Sequence, residues 1–137
     1  MSPAEYNGAM LAYLGDAVLE LLVRTAIIKK GVANVGNANV EARRYVTAHS
    51  QSEAVARILP LLTNEENAIY RRGRNCGSSN IPPSASAGEY RRASGLEALF
   101  AGLYLEGKTE RMKELFDAAF NADYSPGGMD STPPTPL

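Results

Sequence analysis

Ser50/Glu53, Thr63/Glu66 and Ser86/Glu89 each set a Ser or Thr three residues ahead of a Glu. This is the form of a helix capping box, in which each partner satisfies a backbone N–H at a helix start. Each box precedes residues that can continue a helix, and no alternating apolar run of useful length occurs to suggest a strand. An all-α fold is therefore expected. The first helix is expected from Ala9 to Lys30, with Met10, Leu14, Val18 and Leu21 at helical spacing and Gly31 as the stop. A short helix is expected over Val40–Val46. The boxes then predict one through Leu59, with Pro60 opposing continuation, one from Thr63 toward Arg72, and a long one from Ser86 to Glu106 with a stop at Gly107. A last helix carries Met112, Leu115, Phe116 and Phe120. Residues 73–88, rich in Gly, Ser, Pro and Asn, read as a long loop. Residues 124–137 read as a disordered tail, leaving one domain over 1–123.

Composition excludes several classes. At 137 residues, 45% hydrophobic and 21% charged, the chain suits one globular domain. No apolar run approaches the roughly 20 residues of a membrane span. The N-terminus has neither the basic start nor the apolar core of a secretory signal. A single cysteine, Cys76, excludes an internal disulfide framework, and no Cys/His cluster suits zinc. A reducing, cytoplasmic location is expected. The net charge is only −1, yet residues 41–92 hold eight Arg and no Lys against five acids. An Arg-rich centre suits phosphate, because the planar guanidinium binds it through two parallel hydrogen bonds. Solvated helix faces balanced by Glu would give the same composition.

Two acids interrupt the most apolar helical stretches: Asp16 within Tyr13–Leu19 and Glu97 within Gly95–Phe100. Gly15, Gly95 and Gly102 lie close by, each costing roughly 1 kcal/mol against Ala inside a helix. Close approach of two helices, or of a ligand, would explain them. An unpaired carboxylate in a core acquires a partner or a proton. If the two acids face each other they repel unless a cation sits between them, and Mg²⁺ is commonly held by one or two carboxylates plus waters and substrate phosphates. The competing explanation is that each acid pairs with an Arg. Arg71-Arg72-Gly73-Arg74-Asn75 forms a second constellation, able to reach several phosphates and a sugar or base edge. It could equally serve the dipole at a helix C-terminus. His49 reads as a surface or polar-network residue, Cys76 as a loop thiol, and Tyr45, Tyr70, Tyr90 and Tyr104 as core and rim.

Ordered motifs then point to a family. Leu14-Gly15-Asp16-Ala17-Val18-Leu19-Glu20 resembles the signature helix of the ribonuclease III catalytic domain, and Leu96-Glu97-Ala98-Leu99-Phe100-Ala101-Gly102-Leu103-Tyr104-Leu105 resembles its second acidic helix. Ala12–Asp16, Val46-Thr47-Ala48-His49-Ser50-Gln51, Arg71–Asn75 and Tyr90-Arg91 resemble the short Mini-III branch in order and spacing over about residues 6–120. The resemblance implies an all-α homodimer that cuts double-stranded RNA with Mg²⁺ and matures the ends of large-subunit (23S-type) ribosomal RNA precursors. It implies Asp16 and Glu97 as catalytic metal ligands, and Arg71, Arg72, Arg74, Asn75 and Arg91 as RNA-binding residues. Two further acids of larger members correspond to Ala12 and Ser94 here, so the ligand set is thin. Pro82-Pro83-Ser84 stands where Mini-III members often carry Pro-Lys-Asn. With no room for the separate RNA-binding domain of larger members, the catalytic domain must hold RNA itself, weakly and in a salt-sensitive way. Rival readings are a catalytically silent relative that binds structured RNA or the ribosome, and a helical adaptor.

Overall fold

The computed structural model describes residues 2–76 and 86–120. The expected 124–137 tail and the central part of the expected loop, residues 77–85, lie outside them. The described residues form six α-helices: α1 (Gly8–Lys29), α2 (Val35–Val46), α3 (Ala48–Ile58), α4 (Asn64–Asn75), α5 (Ala87–Leu105) and α6 (Thr109–Phe120), with 3₁₀ turns at Pro3–Glu5 and Leu59–Leu61. No strand occurs among the described residues, as the sequence predicts.

The centre of the fold is α5. Its residues from Gly95 to Leu103 are buried except Glu97, which is half-buried. A helix that is apolar all round must be enclosed by its neighbours, and α1, α3, α4 and α6 pack around this one. Phe100, Leu96 and Leu99 are fully buried, joined by Val55 and Ile58 of α3 and Leu115 of α6. Tyr45 stacks on Phe116 at 6.1 Å, and Phe100 meets Phe116 edge-on at 6.5 Å.

Glycines set the closest helix crossings. A Cβ on Gly15 would lie 1.7 Å from the Glu97 carbonyl oxygen, so α1 touches α5 backbone to backbone at the level of both acids. A Cβ on Gly73 would lie 2.5 Å from the Ala98 Cβ and 2.6 Å from the Ser94 carbonyl oxygen. Gly73 is thus a packing residue inside α4, and α4 runs on to Asn75 rather than yielding to a loop at 73. Gly31 (φ +85°) and Gly107 (φ +68°) take the left-handed turns expected after α1 and α5.

Two of the three predicted capping boxes form, at Thr63/Glu66 and Ser86/Glu89. The third does not. Thr47 caps α3, its Oγ1 accepting the Ser50 N–H at 3.1 Å, so Ser50 lies inside the helix. Helix α2 begins at Val35, five residues earlier than expected, capped by Asn34. The apolar row expected to face the core from α1 is also displaced. Leu11, Val18, Leu19, Val23 and Ile27 are buried, whereas Met10 and Leu21 are exposed.

Candidate active site

The Gly15–Glu97 contact decides where the two acids go. With backbones touching there, the Asp16 and Glu97 carboxyls come within hydrogen-bonding range of each other. Asp16 is exposed on the rim and Glu97 is half-buried, so only Glu97 faces inward as expected for both. Burial first, and the Asp16 charge second, push the Glu97 carboxyl up to about 8. Without a cation it therefore keeps its proton at neutral pH. Among the described residues no Lys or Arg pairs with either acid, so the explanation in which each acid meets an Arg is not realised.

Both acids line one end of a groove of about 700 Å³ between α1 and α2, with Leu19, Tyr45 and Gln51 in its wall. Glu20, one turn beyond Asp16, also lines the groove but is bound at 2.5 Å by Arg24. Two adjoining carboxylates without a cationic neighbour suit a hard cation with oxygen ligands. No cluster of three or more His, Cys, Asp or Glu that could enclose a metal exists among the described residues. The donor set thus fits Mg²⁺ completed by water and substrate, and does not fit a closed protein cage.

The Arg cluster lies at the C-terminal end of α4. Because α4 and α5 run antiparallel (Gly73 opposite Ser94–Ala98 and Ile69 opposite Gly102), that end lies beside the N-terminal half of α5. Arg71 and Arg91 are exposed. Arg91 precedes Glu97 by six residues, about 9 Å along the helix axis. Arg74 lies 5.9 Å from the centroid of the Tyr70 ring and donates to the Asn75 side-chain oxygen at 3.0 Å. Arg72 differs from its neighbours. It turns inward, donates to the Tyr6 carbonyl, and keeps its Nε buried without a partner among the described residues.

The remaining expectations sort simply. His49 is exposed and joins a polar network, with Nδ1 2.9 Å from Glu89 and Nε2 3.5 Å from Glu53; those acids, Glu89 first, raise its pKa. Cys76 caps α4 rather than sitting in a loop. Tyr45 and Tyr70 are core, and Tyr104 is exposed. Sequence reasoning assigned no role to Gln51, though its motif contained it, and did not foresee the exposed apolar row on α1.

The same architecture is found in known proteins. The profile of the ribonuclease III domain matches residues 9–108. The chain belongs to the ribonuclease III family. It is 41% identical over 109 residues to the Mini-ribonuclease 3 of Symbiobacterium thermophilum, covering 80% of this chain and 84% of that protein. It is 43% identical over 108 residues to the Mini-ribonuclease 3 of a Thermoanaerobacter species, covering 79% and 76%. A crystal structure of a Fusobacterium nucleatum protein superposes with a TM-score of 0.77 at 31% identity, covering 87% of this chain and 95% of that one. Membership makes the chain an endoribonuclease of the Mini-III branch. Among the described residues no helix is long and apolar enough to cross a membrane.

Proposed function

We propose that this ribonuclease III protein cuts double-stranded RNA at the Asp16–Glu97 pair with Mg²⁺. The observation that carries the proposal is a pair of carboxyls in mutual contact at a groove, with no cationic side chain to satisfy them. Asp16 and Glu97 hold the cation, which when bound supplies the Lewis acidity that activates water and neutralises the leaving 3′-oxygen. Arg71, Arg74, Asn75 and Arg91 engage phosphates and sugars at the α4–α5 end, because A-form RNA is recognised by shape, phosphate and 2′-hydroxyl. Arg72 acts in a different way, by anchoring α4 to the N-terminal segment.

The working unit is a homodimer. Met10, Tyr13, Leu21 and Ile28 share one face of α1 and are all exposed, Tyr13 at 77% and Ile28 at 74%. That stripe runs alongside Asp16. A second copy packed on it brings two acid pairs together, one for each RNA strand. The paired ends of large-subunit ribosomal RNA precursors, in a bacterial cytoplasm, are the substrate this reading favours.

The test is incubation of purified protein with a long RNA duplex and with its single strand, in Mg²⁺ and in chelator. Cutting of the duplex alone, abolished by chelator, is expected; cutting that survives chelation contradicts the metal role. Light scattering on the eluting protein is expected to give twice 14.7 kDa. A monomer that still makes double-strand cuts contradicts the dimer.

A further inference from the structure

Gln51 is the unexplained residue of the groove. On α3 it continues the row of Val55 and Ile58, both 1% exposed, where packing alone favours an apolar side chain. It is itself only 9% exposed. It lines the same groove as Asp16 and Glu97. Its amide has no hydrogen-bond partner among the described residues, and it is not sealed in the core: the Arg72 Nε is the one fully buried side-chain N or O there without a partner, so the Gln51 amide keeps access to the groove. Two other polar side chains of the groove are engaged, Glu20 with Arg24 and Asn34 with the Asn37 N–H. The neighbouring Ser52 accepts from Arg92 at 2.6 Å, which pins this stretch of α3 to α5 three residues before Gly95.

We infer that Gln51 is a further catalytic residue, its amide donating an N–H to a non-bridging oxygen of the phosphodiester that lies against Asp16 and Glu97. The inference rests on the proposed cleavage at that pair. In the hydrolysis a water oxygen bonds to phosphorus as the bond from phosphorus to the 3′-oxygen breaks. A 5′-phosphate and a 3′-hydroxyl result, and Gln51 keeps its protons throughout. Charge gathers on the non-bridging oxygens in this step, and carboxylates cannot donate to them. A fixed donor beside the reacting atom is worth most in a site shielded from water. The donor must be neutral, since an Arg or Lys here would satisfy the acid pair itself and displace the cation. A Gln supplies two donor hydrogens and no charge.

Gln51→Leu and Gln51→Met keep the volume and remove the donor. Single-turnover cleavage of a duplex in saturating Mg²⁺ is expected to fall about 10²-fold in both, with KM, affinity for uncut duplex in chelator, and Tm unchanged or Tm raised. Rates close to wild type in either folded variant would overturn the inference. A loss of rate that follows a loss of Tm or of duplex affinity in both variants would overturn it too, by assigning Gln51 to packing or binding. Failure of the wild-type protein to cut duplex would instead overturn the reading beneath it.

Discussion

Among the described residues Glu66 and Glu97 are both withdrawn from water, and they are handled in opposite ways. Glu66 of α4 is 6% exposed and fully partnered. Arg111 of α6 reaches both its oxygens at 2.8 Å, the Thr63 N–H adds a bond at 2.9 Å, and the same guanidinium donates to the Leu61 carbonyl. Arg111, above all, holds the Glu66 carboxyl below its usual range. Glu97 has no cationic partner among the described residues, and burial first and the Asp16 charge second push its carboxyl up to about 8. The first arrangement closes a structure, joining α4, α6 and the turn between α3 and α4. The second leaves electrostatic demand unmet at a groove. A buried acid is therefore a functional signal only when its neighbours fail to satisfy it.

The difference can be broken from either side. The largest effect is expected for Glu97→Gln, which removes one oxygen ligand: cleavage of duplex RNA falls by about 10³-fold or more, while Tm of the metal-free protein holds at neutral pH because Glu97 already carries its proton there. Arg111→Ala should do the reverse. It strands Glu66 and costs about 3 kcal/mol, a fall in Tm of roughly 10 °C by calorimetry, while the folded fraction still cuts RNA at near the wild-type rate.

Acid–base titration separates the two sites as well. In metal-free protein the native Glu97 pKa lies above its unfolded value of 4.5, so the stability it contributes at low pH is lost as pH rises from 4.5 toward about 8. Glu66 has a depressed native pKa, so its contribution is present above 4.5 and is lost as pH falls below that value. Thermal melts in chelator should therefore give a lower Tm at pH 8 than at pH 5.5. Glu97→Gln should flatten that slope and leave the acid limb intact. The smallest effects belong to the exposed cations. Arg71→Ala or Arg91→Ala should weaken duplex binding a few-fold and lower the salt slope by about 1 for each phosphate no longer neutralised, measured by titration at rising salt.

Legibility in the sequence followed the range of the forces involved. Local chemistry was readable: α1, α4, α5 and α6 were expected from caps, stops and periodicity, and the Glu66 and Glu89 boxes form. Where two local signals compete, the reading slips. Thr47 and Ser50 can both cap α3, and Thr47 does so. Gly36, Asn37 and Asn39 are poor helix formers, yet α2 includes them once Asn34 caps it. Gly73 has the look of a breaker, but the missing side chain is what lets α4 meet α5. Long-range pairing was not readable at all. Nothing in the spacing places Arg111 on Glu66, Arg72 on the Tyr6 carbonyl, or Gln51 in the groove that the acids line. The meeting of Asp16 and Glu97, some eighty residues apart, followed from the family resemblance and from no periodicity.

The central claim is that the acid pair is the reaction centre, and Asp16→Asn tests it most directly. Asp16 is exposed and the change is nearly isosteric, so the fold should be untouched. Cleavage of a long RNA duplex in Mg²⁺ by this variant and by the wild-type protein should differ by about 10³-fold or more, with equal Tm and equal binding of uncut duplex. Cutting at the wild-type rate by the folded variant would contradict the account and leave the two acids as a structural contact between α1 and α5.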